Sequence, residues 1–171
     1  MRYFVGLVFI LILGCTQQEP TKTPVGTVVQ TSAGAISGIT HDGGLKEYMG
    51  IPYAAPPVGA LRWAPPAVIE SWEGTVDASK AGPACMQPQG MGGDFYGVTG
   101  FEMSEDCLLL NVHTRADNEE DAMPVMVWIH GGALVTGSGS EYPGELLTSK
   151  GVVLVTINYR LGIFGFNSLE L

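Results

Sequence analysis

The fold of this chain is decided by one stretch, Pro124-Val125-Met126-Val127-Trp128-Ile129-His130-Gly131-Gly132-Ala133. Its first half is short, apolar at every position and rich in β-branched residues, which predicts a buried strand. Its second half is glycine-rich, and glycine lets the backbone turn where a larger residue would resist. A buried strand that opens into such a loop leaves backbone N–H groups free to hold a developing oxyanion. The stretch therefore predicts part of an active site and raises the question of a nucleophile.

The composition indicates one hydrophobic core and argues against anionic ligands that a positively charged surface would bind. The chain has 171 residues, of which 46% are hydrophobic, and this is enough for one sizeable core. The formal net charge of -9 argues against binding nucleic acid or anionic lipid through charge. The 24 glycines and 11 prolines are dispersed among apolar residues, so we predict many turns between short strands.

The N-terminus predicts a signal peptide over residues 1–14. Arg2 gives a basic start, and the apolar core at residues 4–13 is too short to span a bilayer. Gly14-Cys15 resembles the bacterial lipobox, in which the peptide is cut before a cysteine that then carries lipid. Residues 15–24, rich in Thr, Gln and Pro, fit a flexible tether. We expect export to a bacterial cell envelope with a membrane anchor at Cys15; an ordinary signal and a secreted protein are the alternative.

The two remaining cysteines, Cys85 and Cys107, are interpreted in the light of this export. Outside the cytoplasm such a pair is most often a disulfide, and two buried free thiols are the alternative. The pair lacks Cys-x-x-Cys spacing and only His113 is near it, so we predict no metal site. Nothing in the sequence calls for a cofactor.

The strand pattern predicts an α/β fold whose antiparallel start feeds a buried, mixed sheet. Residues 27–30 and 35–39 alternate around a turn and predict a hairpin, and residues 45–51 and 108–113 predict further strands. A short helix is predicted from Pro143 to Lys150, with Gly151 as its stop. Residues 152–157 form a second apolar strand after it, so the order predicts a βαβ-like unit.

Four blocks of sequence carry a resemblance. They are Tyr48-Met49-Gly50-Ile51-Pro52-Tyr53-Ala54 with Leu61-Arg62-Trp63, Ser104-Glu105-Asp106-Cys107-Leu108-Leu109-Leu110-Asn111-Val112, His130-Gly131-Gly132-Ala133, and Asn158-Tyr159-Arg160-Leu161-Gly162-Ile163-Phe164-Gly165-Phe166. In this order they resemble the type B carboxylesterases, the cholinesterase-like branch of the α/β-hydrolases. The resemblance covers residues 25–171 and implies the N-terminal part of an α/β-hydrolase domain.

The resemblance also implies which residues hold the oxyanion. The family's donors are backbone N–H groups of the glycine loop, and these positions fall on Gly132 and Ala133. Gly131 and His130 then shape the loop. Ala133 stands where many relatives have glycine, and an alanine with negative φ keeps the backbone donor.

Two structural pairs follow from the same resemblance. The cysteine of the second block pairs with an upstream cysteine in the family, which implies a Cys85–Cys107 disulfide. An arginine of the first block pairs with the glutamate of the second, which implies an ion pair between Arg62 and Glu105 that pins the disulfide loop. The family's choline-ester members carry a tryptophan in that loop. This chain has none between the two cysteines, so a choline ester is not implied.

The nucleophile is the missing part. The family places it in Gly-x-Ser-x-Gly, and no serine of this chain has glycines two places on either side. Since the fold's chain order is Ser, acid, His, none of His41, His113 and His130 fits the triad. We therefore expect a C-terminally truncated fragment of an enzyme that hydrolyses small-molecule carboxylic esters through an acyl-enzyme. We expect the fragment to be inactive alone, with apolar strand edges exposed.

Two other functional classes remain open on the sequence. One is a non-catalytic, cell-surface binding module of the same fold. The other is an unrelated β-rich envelope lipoprotein. A serine in Gly-x-Ser-x-Gly, the nucleophile elbow, in the continued reading frame would favour the enzyme over the binding module. A full set of buried apolar faces in this chain alone would favour the unrelated lipoprotein.

Overall fold

The computed structural model describes residues 27–88, 102–118 and 120–167. The predicted signal peptide, tether and lipid site at Cys15 lie outside the described residues. Short strands dominate the described part. They are β1 (Val28–Gln30), β2 (Ala35–Ser37), β3 (Ile39–Thr40), β4 (Lys46–Pro52), β5 (Thr75–Asp77), β6 (Ala84–Cys85), β7 (Met103–Ser104), β8 (Leu109–Thr114), β9 (Val125–Ile129) and β10 (Val153–Ile157). Two one-turn α-helices, α1 (Glu145–Thr148) and α2 (Gly162–Gly165), and three short 3-10 helices, Asp42–Gly44, Gly59–Leu61 and Gly139–Glu141, complete the regular structure of the described residues.

The main sheet has five strands in the order β3-β4-β8-β10-β9. Its pairs are antiparallel up to β10, whereas β10 and β9 run parallel. The chain crosses from β9 to β10 through a loop and α1, which confirms the predicted βαβ-like unit. The predicted hairpin is also confirmed, since β1 and β2 pair antiparallel in a second, three-stranded sheet with β5. An antiparallel start therefore feeds a mixed sheet, as expected of an α/β fold.

The helix between β9 and β10 is shorter than predicted. It spans only Glu145–Thr148, whereas the sequence favoured Pro143 to Lys150. The next residues continue as turns, and Gly151 ends them with a φ of 77° that favours glycine. No helix in the described residues is long and apolar enough to cross a membrane.

A buried polar contact shapes the centre of the main sheet. The register of β4 against β8 shifts between Tyr48 and Ile51, as at a β-bulge. Gly50 lies in this shift with a φ of 66°, and its N–H donates to Oδ1 of Asn111 at 2.9 Å. Asn111 in turn donates to Oγ1 of Thr156 on β10, at 3.0 Å. The Asn111 amide thus satisfies the backbone group that the bulge frees and ties three strands together.

The predicted burial of the stretch 124–129 is wrong in this chain. The strand forms as β9, but all five of its residues are exposed, from 40% at Trp128 to 66% at Ile129. The reason is that β9 lies at the edge of the sheet, where β10 is its only partner strand among the described residues, and that no described helix packs broadly on either of its faces. The expectation of an exposed apolar edge is confirmed, and such an edge favours pairing with further chain.

Candidate active site

The glycine loop, residues 130–137, follows directly from β9 and closes on itself. The N–H groups of Val135 and Thr136 both donate to the carbonyl of Gly132, each at 3.0 Å. The two residues between Gly132 and Val135 are Ala133, with a φ of 54°, and Leu134, with a φ of 64°. Positive φ at both central residues is the mark of a type I′ turn. The condition of negative φ that we set for Ala133 is therefore not met. An alanine retains its N–H in this left-handed conformation, at a cost of about 1 kcal/mol.

The two backbone donors proposed for the oxyanion lie at the start of this turn. Gly132 and Ala133 are exposed. Within the part of the chain that the structure describes, no hydrogen-bond acceptor lies against either N–H group. Gly132 has a φ of 106°, and a Cβ added there would lie 2.0 Å from the carbonyl oxygen of Thr136. Only glycine therefore fits the position, and the loop presents two unengaged N–H groups to solvent.

His130 is the buried root of the glycine loop, with 3% of its surface exposed. Its Nδ1 donates to the carbonyl of Gly131 at 2.8 Å, and its ring stacks on Tyr159 with centroids 4.4 Å apart. The hydroxyl of Tyr159 donates to the His130 carbonyl at 2.7 Å. Burial lowers the pKa of His130, against the smaller opposing effects of the Gly131 hydrogen bond and the Glu141 charge. A neutral, packed ring of this kind suits a role in shaping the loop.

Gln87 holds the far end of the glycine loop. Its Oε1 accepts from the N–H of Gly137 at 2.8 Å, and its Nε2 donates to the Gly137 carbonyl at 3.0 Å. Nε2 also donates to the carbonyl of Cys85 at 3.1 Å. On its other side Gly137 packs against His130, since a Cβ at Gly137 would lie 2.5 Å from Nδ1 of that ring. The exit of the loop is thereby fixed between one side-chain amide and one imidazole.

Asn158, the first residue after β10, fixes the segment that follows the loop. It is buried, and its Oδ1 accepts from the N–H of Gly139 at 2.8 Å and from Oγ of Ser138 at 3.1 Å. Its Nδ2 donates to the carbonyl of Pro83 at 3.1 Å. One side chain thus joins the loop exit, the end of the sheet and the segment before β6. Such a network stabilises only if every member is satisfied, as it is here.

A disulfide braces the same region. Cys85 and Cys107 are bonded, with Cα atoms 5.0 Å apart, and both are buried against the fully buried side chain of Leu161. The short strands β6 and β7 pair parallel beside the bond. In the chain-entropy model the closure of a loop of about 20 residues contributes about 3 kcal/mol. The residues between positions 88 and 102 of that loop lie outside the described part.

The ion pair between Arg62 and Glu105 is present and bidentate. Nε of Arg62 donates to Oε2 of Glu105 at 2.5 Å, and Nη2 of Arg62 donates to Oε1 at 2.8 Å. The hydrogen bond to Glu105, followed by its charge, raises the pKa of Arg62. The guanidinium of Arg160 donates to the carbonyls of Arg62 and Ala64, at 2.8 and 3.0 Å. The pair therefore fixes the residue before Asp106 and Cys107, next to the disulfide.

The other two histidines serve a different place in the fold. Both rings contact the carboxylate of Glu47. Nδ1 of His113 lies 3.0 Å from Oε1, and Nε2 of His41 lies 2.6 Å from Oε2. His113 is 2% exposed, and its Nε2 has no hydrogen-bond partner in the part of the chain that the structure describes. Among the described residues neither ring bonds to the glycine loop, and no cluster of His, Cys, Asp or Glu could hold a metal ion. The site consists of backbone donors and their supports.

This geometry agrees with a comparison to known protein families. The model of the "Carboxylesterase family" matches residues 25–170, which is most of the chain. The chain belongs to the carboxylesterase family. Its membership places it in the α/β-hydrolase fold, to which the solved carboxylesterases that resemble it belong. The resemblance to type B carboxylesterases is therefore confirmed.

Individual carboxylesterases resemble the chain closely but are much longer. An acylcarnitine hydrolase from Mus musculus is 42% identical over 178 residues, which cover 96% of this chain and 31% of that protein. A para-nitrobenzyl esterase from Bacillus subtilis is 45% identical over 149 residues, which cover 84% and 29%. A solved PNB esterase structure superposes with a TM-score of 0.75 at 44% identity, covering 84% and 30%. The chain spans about three tenths of the length of these carboxylesterases.

Two supports of the glycine loop were missed by sequence reasoning. Asn158 left a weak signal, because a polar residue directly after an apolar strand stands where loops of α/β folds gather their functional groups. Gln87 left none, because its contact with Gly137 spans 50 positions and depends on how the chain folds around the disulfide. No local pattern records a contact of that kind.

Proposed function

We propose that this chain supplies the oxyanion-binding half of a serine carboxylic ester hydrolase. The observation that carries the proposal is the pair of unengaged N–H groups of Gly132 and Ala133. They stand on a loop that His130, Gln87 and the residues after β10 hold from both ends. Membership of the carboxylesterase family supports the same reaction. We call a polypeptide that contains these 171 residues and extends to the length of the carboxylesterases they match the longer protein.

The proposed chemistry is acyl transfer through serine. A serine hydroxyl attacks the ester carbonyl carbon while the triad base takes its proton and later passes it to the leaving alcohol, and the carbonyl oxygen becomes an oxyanion in the tetrahedral intermediate. The N–H groups of Gly132 and Ala133 donate to that oxygen, and because the loop is already formed they need no rearrangement at the moment of reaction. Collapse expels the alcohol and leaves an acyl-serine, which water then hydrolyses through a second such intermediate. No cofactor takes part.

The surface beside the donors suits the hydrocarbon part of a small ester. An open, mainly apolar pocket of about 490 Å³ borders the loop, lined by Ala133, Leu134, Val135, Gly162, Ile163, Phe166 and Asn167. The N–H of Gly162 donates to the carbonyl of Leu134 at 2.8 Å and joins the two walls. An apolar wall next to oriented polar donors is the usual composition of a small-molecule site.

The triad residues are expected from the part of the carboxylesterase that this chain does not cover. This chain contains no Gly-x-Ser-x-Gly, and the carboxylesterases it matches are more than three times longer than the matched region. We predict that the purified chain does not turn over a short-chain p-nitrophenyl ester, whereas the longer protein does and loses the activity to an organophosphate. Organophosphate-sensitive turnover by the 171-residue chain would contradict the assignment. A longer protein without an elbow serine would favour the binding module.

We further propose that the protein is exported and held at the cell envelope by lipid on Cys15. The disulfide between Cys85 and Cys107 supports export, because such bonds persist mainly in oxidising compartments. The lipobox-like residues Gly14-Cys15 support the anchor. The acidic net charge of -9 gives no electrostatic attraction to anionic lipid, so the anchor would supply the membrane contact.

The lipid anchor is tested by labelling. Cells grown with radiolabelled palmitate are expected to label the wild-type protein and to leave the Cys15→Ala variant unlabelled, since the cysteine is the acceptor. Cys85→Ala serves as the control and should label normally, because the sulfur of Cys85 in the wild-type protein is in a disulfide and does not accept lipid. Label that persists in Cys15→Ala would exclude this site.

A further inference from the structure

Gln87 joins the glycine loop to the segment of the disulfide. Its side-chain amide pairs with both backbone groups of Gly137, accepting at 2.8 Å and donating at 3.0 Å. A primary amide is the smallest side-chain group that can accept and donate in this parallel way. The same Nε2 reaches the carbonyl of Cys85 at 3.1 Å. Three backbone groups from two distant segments therefore meet at one half-buried side chain.

Gly137 is the place where such a clamp matters. The chain turns there with a φ of 112°, a conformation that favours glycine and that glycine alone would leave loosely defined. Its backbone lies against the His130 ring, which is fixed from behind by Tyr159. The clamp closes the opposite side of Gly137. Without it, Gly137 would lose both of its hydrogen bonds to Gln87, and the loop would be held by His130, by the bond from Gly162 to Leu134, and by Asn158 only from Ser138 onward.

The base of Gln87 is itself held firmly. The residue stands two positions after Cys85, which the disulfide joins to Cys107 and which is buried against Leu161. The clamp thus reaches the glycine loop from a covalently braced segment and not from a free surface loop. It is the described side chain that links the disulfide segment to Gly137.

We propose that Gln87 is a positioning residue for oxyanion binding. It sets where the N–H groups of Gly132 and Ala133 stand relative to the reacting carbonyl, and it does so through its hydrogen bonds to Gly137. This inference rests on the proposed esterase function. Since the donors act on charge that develops in the transition state, a misplaced loop lowers kcat and leaves KM nearly unchanged.

The test uses the longer protein with Gln87→Met, which keeps the length and approximate volume of the side chain and removes all three hydrogen bonds. Gln30→Met is the matched control, because that glutamine is exposed and, among the described residues, its side chain bonds only to the carbonyl of its neighbour Thr31. We expect kcat per titrated active site to fall about 10- to 100-fold in Gln87→Met, with KM changed less than about threefold, as for a small misplacement of catalytic groups. Gln87→Glu should show a similar loss, because it keeps the acceptor and loses both donors. The control should match wild type.

A second measurement separates failure of this inference from failure of the proposed function. Amide hydrogen exchange at Gly137 needs no activity, and its N–H is bonded to Gln87. We expect it to exchange at least about tenfold faster in Gln87→Met and unchanged in Gln30→Met, since a broken hydrogen bond opens the amide to water. Unchanged exchange, or an unchanged kcat in an active protein, would overturn the proposal. If exchange at Gly137 rises in Gln87→Met as expected but the wild-type protein hydrolyses no ester, the esterase function fails and the clamp stands as a structural contact.

Discussion

Replacing Gly132 with alanine is expected to lower kcat of the longer protein for ester hydrolysis by about 10²–10³-fold, the usual effect of losing one oxyanion donor. The cause is steric. The added Cβ would lie 2.0 Å from the carbonyl oxygen of Thr136, and the φ of 106° is unfavourable for any residue with a side chain. Thr136 cannot retreat, because its own N–H is bonded to the Gly132 carbonyl. The turn must therefore open and carry both N–H groups away from the oxyanion.

The control for this variant is Gly74→Ala. Gly74 also has a positive φ, 78°, but a Cβ there meets nothing within 4 Å and the residue lies outside the glycine loop. It therefore shares the backbone strain of Gly132→Ala and lacks the clash. We expect it to lower stability by about 1 kcal/mol and to leave kcat unchanged. Equal kcat values for Gly132→Ala and wild type would show that the turn is not the oxyanion site.

Replacing Asn158 with leucine is expected to lower the free energy of unfolding by about 3 kcal/mol. Leucine has nearly the same shape, so the loss comes from the hydrogen bonds and not from a cavity. The buried N–H of Gly139 and the partly buried carbonyl of Pro83 would lose their Asn158 partners, and an unsatisfied buried group costs about 1–3 kcal/mol. Ser138 would lose one bond but keep its contact with Ser140, at 2.8 Å.

The measurement is urea unfolding of the longer protein, followed by circular dichroism. Gln30→Leu is the matched control, because it also exchanges a side-chain amide for leucine, at an exposed position. Its effect is expected to stay within about 0.5 kcal/mol. A loss below about 1 kcal/mol in Asn158→Leu would mean that the amide network is not what holds the segment after the glycine loop.

The sequence predicted well wherever local pattern decides structure. The alternation around the turn at residues 31–34 predicted the β1–β2 hairpin, and two apolar runs separated by a helical segment predicted the parallel pair β9–β10. The ordered blocks indicated the family, and with it the Cys85–Cys107 disulfide and the Arg62–Glu105 pair, both of which the structure contains. In these cases the pattern of neighbouring residues, or a known family arrangement, is sufficient to predict the structure.

It failed where the outcome depends on distant chain. An apolar strand such as Val125–Ile129 indicates burial, but burial needs neighbours, and in this chain β9 has β10 on one side only among the described residues. The positive φ of Ala133 accompanies two hydrogen bonds that both end on the carbonyl of Gly132. The residue types in the loop do not predict these bonds. The supports Gln87 and Asn158 act across 50 and 75 positions. Contacts of that range are properties of the fold and not of any segment.

The central claim is that the N–H groups of Gly132 and Ala133 bind the oxyanion. It is tested most directly by a crystal structure of the longer protein after reaction with a phosphonate that mimics the tetrahedral intermediate on serine. We predict that the phosphonyl oxygen lies 2.7–3.1 Å from the nitrogens of both Gly132 and Ala133, the range expected for oxyanion donors. A phosphonyl oxygen held by other groups, with both nitrogens beyond hydrogen-bond distance, would contradict the account.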